Sequence, residues 1–185
     1  MRLSNEKVPG WSGEGTRFRG EALAMLGQVQ EGIAQMREGM AAMQSMSARC
    51  YLSGTLCSLA EAQAKAGQPG EGLTTLAEAL AQVETTDERY CEAEIHRLKG
   101  ELLLMQGDKT EAEASFHKAI EVARRQQAKS WELRATVSLC RLWQQQGRMD
   151  EARQMLAEIY GWFAEGFDTP DLQEAKALIE ELSRS

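Results

Sequence analysis

Apolar residues recur at helical spacing along the chain. Between 109 and 127, Ala112, Phe116, Ala119, Ile120 and Ala123 stand four, three, one and three residues apart. That spacing puts them on one face of a helix. Asp108 with Glu111 forms a capping box at its start. Near the end, Leu172, Ala175, Ile179 and Leu182 form another stripe with acidic residues on the other side. Thr169 supplies an N-cap there, and Pro170 suits the first helical position. No sustained alternation of β-branched residues lies between hairpin turns, so no strand is predicted.

The pattern repeats. Gly27, Gly67, Gly107 and Gly147 are spaced by 40 residues. Seven residues before each glycine stand Gly20, Ala60, Gly100 and Cys140, all small. Four before stand Leu23, Gln63, Leu103 and Trp143, mostly bulky. Five after come the small Gly32, Gly72, Ala112 and Ala152, and nine after the large Met36, Leu76, Phe116 and Leu156. The physical reading is a helix–turn–helix unit. Its glycine ends the first helix in a left-handed C-cap conformation. The small residues let the two helices approach, and the large ones fill the space between units. One such pair cannot cover its own apolar face, so pairs must stack.

The expected fold is therefore all-α, an α-α superhelix of about four helix–turn–helix repeats with a C-terminal capping helix. First helices are predicted near 17–26, 48–66, 88–106 and 130–146. Second helices are predicted near 29–44, 70–84, 109–127 and 149–163, with a terminal helix at 170–183. Residues 1–16 read as a flexible, Gly-rich lead. Residues 17–185 read as a single domain, with repeats at about 17–46, 47–86, 87–127 and 128–166 and the terminal element at 169–184.

Composition narrows the function. The 185 residues carry 21 Lys+Arg against 28 Asp+Glu, a net charge of −7. Nucleic-acid binders rely on a basic face, so nucleic acid is not an expected partner. Only 121–155 is locally basic, and the acidic 156–185 follows it. No apolar run approaches the roughly 20 residues of a spanning helix. The start MRLSNEKVPGWSGEG lacks an apolar h-region, so no secretory signal is expected there. Cys50, Cys57, Cys91 and Cys140 form no CxxC, which suits reduced, buried thiols in a cytoplasmic protein.

The small, bulky, Gly, Ala, aromatic, Ala pattern resembles the tetratricopeptide repeat. LKGELLLMQGDKTEAEASFHKAI matches best, with Gly100, Leu103, Gly107, Ala112, Phe116 and Ala119 at the family's positions. It departs at His96, where the family prefers Trp, at Lys99, where it prefers Leu, and at Arg124, where it prefers a closing Pro. The period is also about six longer than the usual 34. A closer resemblance covers about 20–185. AEIHRLKGELLL, EVARRQQAKSWELRA and YGWFAEGFDTPDLQEAKALIEEL resemble the C-terminal repeat region of large bacterial signalling proteins. Those are similar to predicted ATPases of the AAA/STAND type, often joined to a class III adenylate/guanylate cyclase domain or a DNA-binding domain. The chain would then be a stand-alone copy, or a fragment, of a sensing or scaffolding end.

No catalytic or cofactor chemistry stands out. GxxxxGK[ST] and HExxH are absent, and GWSGEGTRFRG lacks the lysine and preceding strand of a phosphate cradle. His96 and His117 lack a third metal-ligating partner at suitable spacing. No catalytic residue, cofactor or metal is expected. Tyr160, Trp162, Phe163 and Phe167 form either a partner-docking patch or, the favoured reading, a seal over the last pair that includes Trp131 and Trp143. Arg124, Arg125 and Lys129 are expected to cap the end of a second helix, where cations complement its dipole.

The resemblance implies a concave face lined by first helices, where such proteins bind extended peptides or helices. The glycine register puts Glu61, Lys65, Arg97, Glu101, Arg141, Gln144 and Gln145 on that face. Mixed charge with amides suits a polar peptide, or a small ligand held by a few hydrogen bonds. The leading expectation is a non-enzymatic protein-interaction module in bacterial signalling. The alternatives are a small-molecule effector sensor controlling an output domain, and self-association through the first pair. Gly32 and Gly39 are expected to weaken that pair, at about 1 kcal/mol each.

Overall fold

The computed structural model describes residues 9–44 and 52–184. Among these, every regular element is helical. The contacts divide the chain into two compact units, residues 1–89 and 90–185. The first unit holds α1 (Pro9–Met25), α2 (Val29–Gln44), α3 (Leu52–Lys65) and α4 (Pro69–Thr86). The second holds α5 (Glu92–Met105), α6 (Lys109–Arg125), α7 (Lys129–Gln145), α8 (Met149–Tyr160) and α9 (Pro170–Leu182).

The four register glycines close the turn inside each pair, with φ between +73° and +88°. In the third pair Gly107 N–H donates to Leu104 O, and Asp108 N–H donates to Leu103 O, both at 3.0 Å. Such bonds satisfy carbonyls that the helix end would leave open. Asp108 accepts from Glu111 N–H at 3.1 Å, the first half of the expected capping box. Two turns between pairs use the same left-handed backbone without glycine, at Asp87 (φ 57°) and Gln127 (φ 56°).

The first pair corrects the reading of residues 9–16. Helix α1 begins at Pro9, so the glycine-rich stretch from 9 onward is helix. Its glycines are the contact surface. A Cβ on Gly32 would lie 2.6 Å from Gly20 O, and one on Gly39 would lie 2.6 Å from Gly13 O. The backbones of α1 and α2 therefore touch directly, at a distance no other side chain allows. Close approach adds dispersion and Cα–H···O contacts that offset the poor helix propensity of glycine. Gly32 and Gly39 thus stand at the contact between the two helices.

In 90–185 the small and large register positions mesh as their sizes require. Phe116 and Ala112 are fully buried, and a Cβ at Gly100 would overlap the Phe116 ring. Burying a phenyl ring of this kind contributes about 2–3 kcal/mol. The same core runs through Leu133, Leu139, Leu142, Leu156, Leu172 and Leu178, so α9 packs as part of it.

The aromatic positions separate. Phe163 and Tyr160 pack against this core, whereas Trp162 and Phe167 are exposed, so the cluster is only a partial seal. Trp143 belongs to the core, but Trp131 packs elsewhere, against Ala93, Val122 and Ala123.

Candidate protein-docking surface

In 90–185 the surfaces of α5, α7 and α9 converge on a polar cleft of about 130 Å³. Helix α9 stands where a fifth first helix would. Arg97 and Glu101 come from α5, Arg134, Ser138 and Arg141 from α7, and Asp171 and Glu174 from α9. Three of the expected site residues, Arg97, Glu101 and Arg141, therefore meet. Gln144 and Gln145 lie further along α7 and do not line the cleft. In 1–89, Glu61 and Lys65 are on α3, half-buried and exposed respectively. The groove in that unit is lined instead by Leu56, Leu59 and Gln63 of α3.

The cleft is wired by charge. Arg97 donates from Nε and Nη2 to Glu94 at 2.8 and 2.7 Å, a two-pronged pair with both side chains largely buried. Arg134 reaches the same Glu94 at 3.0 Å. Ser138 Oγ donates to Glu101 at 2.6 Å, and Arg141 pairs with Glu174 at 2.9 Å. Glu94 and Arg97 are therefore structural, because breaking a buried pair strands a charge. Glu101, Arg134, Arg141 and Glu174 keep a third or more of their side-chain surface exposed. They can offer guanidinium donors and carboxylate acceptors to the backbone or side chains of a polar ligand.

Glu94, Arg134, Ser138 and Glu174 were not singled out from the sequence, yet a signal for most of them exists. Glu94, Arg134 and Glu174 stand 40 residues apart, as do Glu101 and Arg141. Charge alternates at equivalent positions of successive repeats, so stacking brings opposite signs together.

Other sequence expectations resolve differently. Arg124 and Arg125 do end α6, but they pair with carboxylates of neighbouring first helices. Arg124 donates to Glu132 at 2.7 Å, and Arg125 to Glu92 at 3.2 Å. Lys129 opens α7 and binds Glu132 at 2.7 Å, so it caps no helix end. Burial pushes the Glu132 carboxyl up, but hydrogen bonds from Lys129 and Arg124 outweigh it and hold the group below its ordinary value.

His96 is half-buried, and burial lowers its imidazole below 6.5. His117 lies against Trp143, with ring centroids 5.9 Å apart. Cys57, Cys91 and Cys140 are buried and free, and burial pushes the Cys140 thiol up to about 12. Cys50 lies outside the described residues. Among the described residues no cluster of three or more His, Cys, Asp or Glu is placed to hold a metal. Among them, too, no helix is long and apolar enough to cross a membrane.

Comparisons agree with this architecture. The nearly identical TPR-like repeats of a Podosopora anserina protein described as a kinesin light chain superpose with a TM-score of 0.71. The sequences are 16% identical, and the match covers 96% of this chain and 88% of that one. A single-substitution variant of the same protein gives 0.66 at 17% identity, covering 97% and 96%. Likeness at that identity shows the fold, an all-α tetratricopeptide-type repeat. No curated protein matches the sequence significantly. The model of the MalT-like TPR region matches residues 2–179, which takes in the N-terminal helix that the sequence pattern had set aside. Repeats of this type generally mediate protein–protein interaction and are typically non-catalytic. With helix pairs on a forty-residue register and a family match across nearly its whole length, the chain belongs to the MalT-like tetratricopeptide-repeat family.

Proposed function

We propose that the chain is a non-enzymatic interaction module of a bacterial signalling or regulatory system, working in the cytoplasm. It takes an extended polar partner peptide along the first-helix face of 90–185. The observation that carries this reading is the convergence of Glu101, Arg141 and Glu174, exposed charges from three helices, on one cleft. Arg134 adds a fourth, and Gln144 and Gln145 extend the α7 face with side-chain amides. Buried Arg97 holds Glu94 and Arg134 in place and so shapes the surface. Glu61 and Lys65 are assigned the corresponding role on α3. Alternating charge gives such a face specificity for register more than raw affinity.

The test is affinity capture from bacterial lysate with wild type and a Glu101→Lys/Arg141→Glu variant, both confirmed as folded by circular dichroism. The proposal expects a defined partner that the variant loses. Identical partners on both proteins, or none on either, would refute it.

A further inference from the structure

We propose that the outer face of α1 is a self-association surface, on which a second copy of this chain packs its own α1 across a two-fold axis. The surface lies wholly in residues 1–89 and shares no residue with the cleft of 90–185, so the two stand or fall separately.

Helix α1 is small or apolar on two opposite sides. Gly13, Gly20 and Ala24 are buried on the side where the glycines meet Gly39 and Gly32 of α2. Phe18, Ala22, Met25 and Leu26 follow one another at four, three and one residues, about half a turn round the helix from that side. All four are exposed: Phe18 by 55%, Met25 by 80% and Leu26 by 79%. A surface helix carries one apolar stripe, and a helix apolar on opposite sides belongs in an interior. Among the described residues α1 packs only against α2 and α3, which leave the second side open.

The repeat register shows that this side is a packing side. At the positions equivalent to 15 and 22 the later first helices carry Thr55 and Ala62, Ile95 and Leu102, and Ala135 and Leu142. Each of these six is no more than 2% exposed. Leu98 and Ser138, equivalent to Phe18, are buried as well. Within each unit the later first helix packs against the second helix of the preceding pair, α3 against α2 and α7 against α6. In α1 the same positions, Gly15, Phe18 and Ala22, are exposed.

The stripe is complementary to itself. Phe18 and Leu26 both lie four residues from Ala22, so antiparallel pairing about Ala22 sets Phe18 of each copy beside Leu26 of the other. The small Ala22 at the crossing lets the two helices approach. Phe18 is already held in place: the Arg17 guanidinium lies 3.7 Å from its ring centroid and is itself tied to Glu21 at 2.6 Å. An anchor fixed in advance loses little freedom on docking. Nothing else on the chain matches the stripe. The other large apolar side chains exposed among the described residues, Tyr90, Met105, Trp162 and Phe167, stand in turns or at a helix end. Helix α9 turns Gln173, Glu174, Lys176 and Glu180 outward, a polar face. One patch used by both copies closes at two. A single helix face covers less than the roughly 800 Å² per partner of a standard interface, so the dimer is weak and forms at high concentration.

The test is sedimentation equilibrium of the full chain from about 10 μM to about 1 mM, the range of weak complexes. The mass should rise from 20.5 kDa and level off at twice that value. Phe18→Glu and Leu26→Glu should each weaken association at least about tenfold, as at a central apolar anchor. Both side chains are exposed, so circular dichroism and melting of these variants should match wild type. Added salt should strengthen the dimer, because each copy carries a net charge of −7. Ala22→Cys should cross-link to its counterpart on oxidation, since the two Cα atoms must come within about 7 Å. Cys50 is replaced by Ser for that experiment, so that the remaining native thiols are the buried Cys57, Cys91 and Cys140. Glu158→Cys, exposed on α8, is the control that should not cross-link. A monomer at every concentration, a mass climbing beyond two copies, association unchanged by Phe18→Glu, or equal cross-linking of the two cysteine variants would each overturn the proposal.

Discussion

The seam under α2 and α4 and the seam under α6 and α8 share one register, yet only the second is filled. Trp143 packs against His117, bonds to Glu113 and lies beneath Arg148. At the equivalent register position Gln63 accepts from Thr75 and lines an open groove of about 360 Å³. A repeat frame therefore dictates where a seam falls. Different side chains at one register position stand in a packed seam in one place and beside an open groove in the other. A solenoid can vary its binding surfaces without disturbing its backbone, because each unit contacts only its neighbours.

The contrast can be broken most severely at Trp143. Trp143→Gln should open a second groove and cost about 3 kcal/mol, the lower end for removing a buried aromatic ring. Urea unfolding measures the loss, and a change under 1 kcal/mol would mean that the seam closes without the indole. Next in size is Glu113→Gln, which weakens the bonds from Trp143 and Arg148 and should cost about 1–2 kcal/mol.

Acid should act on the same seam. Burial tends to raise the Glu113 carboxyl, but hydrogen bonds from Trp143 and Arg148 outweigh it and hold the group below its ordinary 4.5. A depressed folded-state value gives stability that is present above the unfolded value and is lost as pH falls through the folded one. Stability should therefore decline below about pH 4.5, and Glu113→Gln should flatten that decline in melting curves taken across the range.

Gln63→Trp sharpens the comparison from the other side. It should close the α2–α4 groove and raise stability by about 1 kcal/mol, the gain of apolar burial less the lost Thr75 bond. A net loss would show that α2 and α4 are held too far apart, or too close, for the ring. The smallest effect belongs to Arg37→Ala. Arg37 and Glu71 are both half-exposed, so breaking their pair should cost under about 1 kcal/mol, and less in high salt.

Much of the molecule was legible before its structure. The glycines at 27, 67, 107 and 147 announced four turns, because a positive φ is costly for any residue with a Cβ. The same rule concealed the turns at Asp87 and Gln127, where exposed residues take the left-handed backbone and local hydrogen bonds close the helix end. Glycine also misled at the N-terminus. Gly13 looked like part of a loose lead, yet it is helical and faces Gly39. Propensity describes an isolated helix, and it has no knowledge of a partner backbone at contact distance.

The candidate site divides in the same way. Arg97, Glu101 and Arg141 were placed together by the register alone, because they share one helix face across two repeats. Glu174 came in with α9, whose docking on α7 no spacing rule reports. In the first unit Gln63 and the leucines before it line a groove between α2 and α4, a feature that the first-helix register did not single out.

The sequence by itself determined the helices, their pairing and the repeat, since these follow from local periodicity and from where the backbone must turn. Only the tertiary structure decided which seams close, which charges are consumed in ion pairs and which remain at the surface. Those outcomes depend on distances of a few ångströms between residues some 30 to 40 positions apart, and the energy of a charge pair or a cavity changes steeply over that range.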